Sequence, residues 1–175
     1  GRPKEDLAAA MSLLVSVEDA VDPGGREEFE LLRDRIENAD DAEGLPEALT
    51  HGNYHGWSAV GTPGNLVIVG WAGSGRGPRL PALAWLLATA AEGDPEYVDA
   101  AMRGYCEHVR LTEEEIERLP AILGLKPLYI AAFQYRASVR SGHTPTRDDR
   151  WPSWDVDRVE HSRRIAARAV AVLRG

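Results

Sequence analysis

The chain has 175 residues, 43% of them hydrophobic, and a formal net charge of −8. That describes a single domain over 1–175 with enough apolar mass for a core, and it disfavours nonspecific nucleic-acid binding. No apolar run reaches the ~20 residues of a membrane span, and the lone cysteine, Cys106, excludes an internal disulfide, so a reducing cytoplasm is the expected setting.

The opening Gly1-Arg2-Pro3-Lys4-Glu5-Asp6 leads into an amphipathic pattern rather than a secretory leader. Leu7, Met11, Leu14 and Val17 recur at helical spacing, which predicts a helix from Glu5 to about Asp19. Asp22-Pro23 reads as an N-cap followed by a first-turn proline, starting a helix with Phe29, Leu32 and Ile36 on one face. The acidic run Asp40-Asp41-Ala42-Glu43 is predicted as a solvated loop.

From Thr50 the period changes. Trp57 to Val60 and Leu66 to Val69 are short β-prone runs separated by Gly61-Thr62-Pro63-Gly64-Asn65, which predicts a small hairpin. Gly73 to Pro78 is expected to be a glycine-rich loop, and Leu80 to Ala91 an apolar helix ended by Gly93. Asp94-Pro95 starts a further helix, and Thr112 with Glu115 forms a capping-box pattern. Pro120 to Arg140 is predicted as one long apolar helix with Pro127 as a kink or boundary. Ser141 to Pro152 reads as a loop, and Trp154 to Leu173 as the last helix. Its basic residues Arg158, Arg163, Arg164, Arg168 and Arg174 are read as a solvated face. The fold class is therefore mainly α, a helical bundle with a small inserted β-hairpin.

The segment from Thr50 to Leu87 carries a resemblance. It contains His51-Gly52-Asn53-Tyr54-His55-Gly56-Trp57-Ser58, then Leu66-Val67-Ile68-Val69-Gly70-Trp71. Gly73 to Leu80 and Pro81-Ala82-Leu83-Ala84-Trp85 follow. In scaffold residues, spacing and order this resembles the core of the aminoglycoside phosphotransferase (choline-kinase-like) family. The family pattern is His-Gly-Asp-x-His-x-x-Asn, a hairpin, an Asp-Trp or Asp-Phe pair, and an Asp-Leu-Ala helix start. The resemblance implies a kinase-like C-terminal lobe. It also implies an N-terminal ATP-binding lobe with a strand lysine, which is not among these residues: the lysines are Lys4 and Lys126, each beside a proline.

At the catalytic positions the chain departs from that family. Asn53 stands where the resemblance places the general base, and an amide accepts no proton. Ser58 and Gly70 stand at the two metal-holding positions, and Ala82 at the Asp-Leu-Ala aspartate. Losing a general base costs about 10²- to 10⁴-fold, and losing the metal-holding carboxylate costs more, because magnesium neutralises charge throughout phosphoryl transfer. The expectation is a pseudokinase-like protein with no cofactor, serving as a ligand-binding or protein-interaction module. A homodimer or another protein would cover the surface that an N-lobe normally occupies. The alternative is an active or residually active phosphotransferase on a small molecule, using ATP and Mg²⁺.

The other residues singled out have two readings each. His51 braces the loop in the resembling family, against a metal site or catalytic base formed with His55. Gly73, Gly75 and Gly77 with Arg76 and Arg79 form a turn, against a phosphate cradle. Trp57, Trp71 and Trp85 wedge the hairpin on the apolar helix, against a ligand-stacking role. Asp148, Asp149 and Asp155 are a remnant acceptor pocket or plain loop residues. The candidate ligand cleft thus comprises His55, Trp71, Arg76, Asp148, Asp149 and Asp155.

Overall fold

Two apolar stripes meet at the N-terminal end of the chain. In α1 (Pro3–Val15) Ala10 and Leu14 turn inward at i, i+4 spacing, and in α2 (Arg26–Glu37) Phe29, Leu32 and Ile36 do so. Both helices pack on α6 (Leu125–Arg140), which supplies Ala131, Ala132, Tyr135 and Val139. This is a computed structural model, and it describes residues 3–92, 94–146, 149 and 156–174.

A second cluster gathers α3 (Leu80–Ala91), α4 (Pro95–Cys106), α5 (Glu113–Ile122) and α7 (Val156–Arg174) around Leu83, Leu87, Met102, Leu119 and Ala169. Leu7 touches both clusters and Leu125 belongs to the second, so α1 and α6 join the two halves. No helix among the described residues is long and apolar enough to cross a membrane.

Several sequence expectations change. The first helix ends at Val15, and a 3-10 turn over Glu18–Ala20 replaces its predicted end. The Asp22 side chain caps nothing; Pro23–Gly25 forms a separate 3-10 turn, and α2 begins at Arg26. Gly25 is required there, because a Cβ would meet the Pro145 carbonyl oxygen at 2.5 Å and collide with Thr144. The Tyr135 hydroxyl donates to the Gly25 carbonyl at 3.3 Å, and burial pushes this phenol up to about 12. The predicted helix from Pro120 to Arg140 breaks at Leu123-Gly124, not at Pro127. Pro127 is the third residue of α6, where an N–H would have no helical acceptor in any case.

The predicted hairpin forms as β2 (Ala59–Thr62) and β3 (Asn65–Ile68), turning through Pro63 and Gly64, the latter at φ +81°. Gly73 to Pro78, expected to be a loop, contains β4 (Gly75–Pro78). It runs antiparallel to β1 (Glu47–Thr50), with Glu47 opposite Pro78 and Thr50 opposite Gly75. Gly-Arg-Gly-Pro has no strand preference of its own, so the pairing comes from a partner about 28 positions upstream.

The acidic run 40–43 is not a free solvated loop. Arg118 grips Asp40 with two bonds of 2.8 and 2.5 Å and reaches the Glu43 carbonyl at 2.9 Å. Arg118 thereby holds the Asp40 carboxyl below its ordinary value. Between them Ala42 is fully buried at φ +61°. Nor is the basic face of α7 wholly solvated: Arg168 forks onto Asp99 at 2.6 and 2.7 Å, fastening α7 to α4. The start of the predicted last helix, at Trp154 and Asp155, lies outside the described residues.

A buried ion pair joins the strand pair to the helices. Arg79, between β4 and α3, forks onto Glu115 with two bonds of 2.8 Å and donates to the Arg110 carbonyl at 2.7 Å. Glu115 also closes the capping box with Thr112 and is fully buried. Burial raises its carboxyl, but the guanidinium and the Thr112 amide outweigh that and leave it below the ordinary 4.5. A depressed folded value means the contribution is complete above the unfolded value and is lost as pH falls through the folded one. We expect Arg79→Met to cost about 3–5 kcal/mol in denaturant unfolding, because a buried carboxylate loses its partner. The wild type should lose more stability than the variant between about pH 5 and pH 3.

Candidate functional site

The loop after β1 is organised by His51, which is buried. The Asn53 amide donates to His51 Nδ1 at 3.2 Å, and His51 Nε2 donates to the Val69 carbonyl at 2.9 Å. This pair of bonds needs the neutral ring with its proton on Nε2, and the lone pair on Nδ1 is already used. The ring also meets Tyr54 and Trp71 edge-on, with centroids 5.6 and 4.9 Å apart. His51 therefore ties the loop to the strand leaving the hairpin.

Gly52 makes the next contact possible. A Cβ there would lie 2.6 Å from the Gly73 carbonyl oxygen and 2.9 Å from that of Ala72, so only glycine lets the loop lie against the Trp71–Ser74 turn. Opposite, Ser74 Oγ donates to the Trp71 carbonyl at 2.6 Å. Ser58 is buried and its hydroxyl is engaged within the loop, donating to the Asn53 carbonyl at 3.3 Å with His55 Nδ1 3.4 Å away. Gly70 sits at φ +81°, and a Cβ added to it would rest 3.8 Å from His51 Cε1, an ordinary contact.

These residues border a shallow cleft. Its walls are His51 to Tyr54, Ala82 and Trp85 at the start of α3, Lys126 of α6, and Pro3 and Asp6 of α1. The cavity volume is about 40 Å³, well under the roughly 300–1,000 Å³ of typical small-molecule sites. Asp6 is the carboxylate in its lining, and it lies 3.8 Å from the Lys126 ammonium. No group of three or more His, Cys, Asp or Glu side chains able to hold a metal ion occurs among the described residues.

The candidate residues separate in the structure. Asn53 and His51 share the cleft wall with Ala82; Ser58 and Gly70 lie just behind them, bonded to or in contact with the same loop. His55 stacks edge-on with Trp57 at 5.4 Å, and Trp71 donates from its indole to the Ile68 carbonyl. Arg76 projects from β4 to pair with Glu47 at 3.0 Å. With Arg79 bound to Glu115, both cations of the phosphate-cradle reading have carboxylate partners. Trp57 and Trp71 are largely exposed and meet His55 and His51 edge-on, whereas Trp85 is half-buried. Asp149 caps its own turn, accepting from the Thr146 N–H at 2.7 Å, a bond that holds its carboxyl below the ordinary value. Asp148 and Asp155 lie outside the described residues. Sequence reading missed Lys126 and Asp6 as cleft residues, since only folding brings α1 and the start of α6 beside the loop.

The fold is similar to that of one solved kinase-family protein. A crystal structure at 2.55 Å resolution of a choline/ethanolamine kinase family protein from Mesorhizobium loti superposes with a TM-score of 0.55 at 18% identity, covering 96% of this chain. The chain spans 58% of that protein's length. No protein-family model matches the sequence, and no curated protein matches it.

Two substitutions test the loop. Gly52→Ala should destabilise by about 1–3 kcal/mol, because the obstacle is backbone and not a movable side chain. His51→Ala should cost about 1–2 kcal/mol by removing the bonds that its buried ring makes to the Val69 carbonyl and the Asn53 amide. Thermal unfolding followed by circular dichroism reads both.

Proposed function

We propose that this kinase-like fold serves as a binding or interaction module and does not transfer phosphate. One observation carries this reading. The positions corresponding to base and metal ligands hold an amide, a hydroxyl and a bare backbone: Asn53, Ser58 and Gly70. The Ser58 hydroxyl is buried among loop bonds, and the carboxylate lining the cleft, Asp6, faces Lys126. A magnesium–triphosphate needs anionic oxygen ligands and a base for the acceptor hydroxyl. These side chains do not fit that group.

The substitutions also agree with one another. Once no divalent ion is held, clustered carboxylates would repel and lose hydration, and neutral replacements remove that cost. His51 supports the same reading: with both ring nitrogens engaged it is placed to brace the loop, not to abstract a proton. The exposed apolar side chains of the hairpin, Val60, Leu66 and Val67, favour the interaction side of the proposal.

Calorimetric titration with Mg-ATP should give no saturable heat, and saturable, metal-dependent binding would overturn the reading. The triple variant N53D/S58N/G70D should still fold. Aspartate tolerates positive φ better than most residues, so the strain at position 70 is about 1–2 kcal/mol, and the space for its Cβ is present. Titration with Mn²⁺ should then show ion binding in the triple variant and none in the wild type.

A further inference from the structure

The cleft beside the loop holds hydrogen-bond donors that have no acceptor. Among the described residues two buried side-chain polar atoms lack a partner, and one is the indole N–H of Trp85. Trp85 lies one turn along α3 from Pro81 and Ala82, and all three line the cleft. Buried donors in native proteins nearly always meet an acceptor, and an oxygen seated in the cleft supplies the one that Trp85 lacks. Two further donors border the same space. Lys126 stands 3.8 Å from the Asp6 carboxylate, beyond hydrogen-bond length, so its N–H groups stay open to another oxygen. Asn53 commits its backbone N–H to His51 Nδ1 and its carbonyl to Ser58, which leaves its side-chain amide for a ligand.

Charge and size select the ligand. Asn53, Gly70 and Ala82 stand where the resembling family carries carboxylates, so Asp6 is the single carboxylate in the lining and it already faces Lys126. A cationic ligand finds no free anion here, and His51 offers it no lone pair, since both ring nitrogens are engaged. An anion finds an ammonium and two neutral donors, the conditions under which a partly buried charge is tolerated. A phosphate brings nearly two charges, and the lining has no second cation to meet the other one. The cavity of about 40 Å³ holds about three water-sized spheres of roughly 10–15 Å³ each, which matches the three heavy atoms of a carboxylate group. Ile122, Leu123 and Leu125 make the neighbouring wall apolar, which suits a short hydrocarbon tail.

We propose that the cleft binds the carboxylate of a small monocarboxylic acid through Lys126, the Asn53 amide and the Trp85 indole N–H. The proposal rests on the binding-module reading and names its ligand class.

Titration of the isotope-labelled full chain with sodium butyrate, against sodium chloride at equal ionic strength, tests it by NMR. The Trp85 indole cross-peak, identified by its loss in Trp85→Phe, should shift saturably with a Kd of about 1–10 mM. Lys126→Met should weaken butyrate by at least about tenfold. Arg140→Met, in the last turn of α6 and outside the cleft lining, leaves binding unchanged. Neutral butyramide should bind at least about tenfold more weakly than butyrate, and inorganic phosphate no more tightly than butyrate. Circular dichroism confirms that each variant is folded. An indole peak that does not move up to about 50 mM butyrate overturns the proposal. So does binding that survives Lys126→Met, an equal response to butyramide, or a tighter one to phosphate. Calorimetry with Mg-ATP remains a separate test: a protein silent to both ligands loses the carboxylate assignment and keeps the reading that it transfers no phosphate.

Discussion

The buried pair between Arg79 and Glu115 holds the two kinds of structure in this protein together. Arg79 follows the strand pair, its N–H donates to the Pro46 carbonyl at 3.0 Å, and its side chain enters the capping box of α5. One residue thus fixes where the strands stop, where α3 starts and how α5 lies against them. A buried carboxylate is costly unless fully satisfied, and Glu115 is satisfied by the guanidinium, the Thr112 amide and the capping geometry together. The cleft exists because this joint sets the loop of residues 51–54 beside the N-terminal end of α3.

On that frame the loop is held by its own hydrogen bonds and close backbone packing. His51 bonds at both nitrogens, Gly52 permits backbone-to-backbone contact, and Ser58 closes the loop on itself. The hairpin beside the loop carries exposed apolar side chains, Val60, Leu66 and Val67.

Ion pairs do much of the remaining fastening. Arg118 binds Asp40 and Arg168 binds Asp99, each by a two-bond fork between segments distant in sequence. The chain's preference for arginine over lysine fits this use, since a planar guanidinium can meet a carboxylate with two parallel bonds and an ammonium cannot.

Local signals were legible wherever chemistry and period act over a few residues. The capping box at Thr112, the Asp94 cap, the Pro-Gly hairpin turn and the apolar faces of α2 and α3 followed from residue spacing. Asn53, Ser58 and Gly70 were singled out by the family resemblance of their segment and not by local period. Tertiary structure decided what depends on distant partners. A strand of Gly-Arg-Gly-Pro exists only because β1 lies beside it; an acidic run is tied down by Arg118; Trp57 and Trp71 are exposed; and Lys126 enters the cleft. Hydrogen-bond ladders and guanidinium forks join groups tens of residues apart, and no local periodicity records which of them will meet.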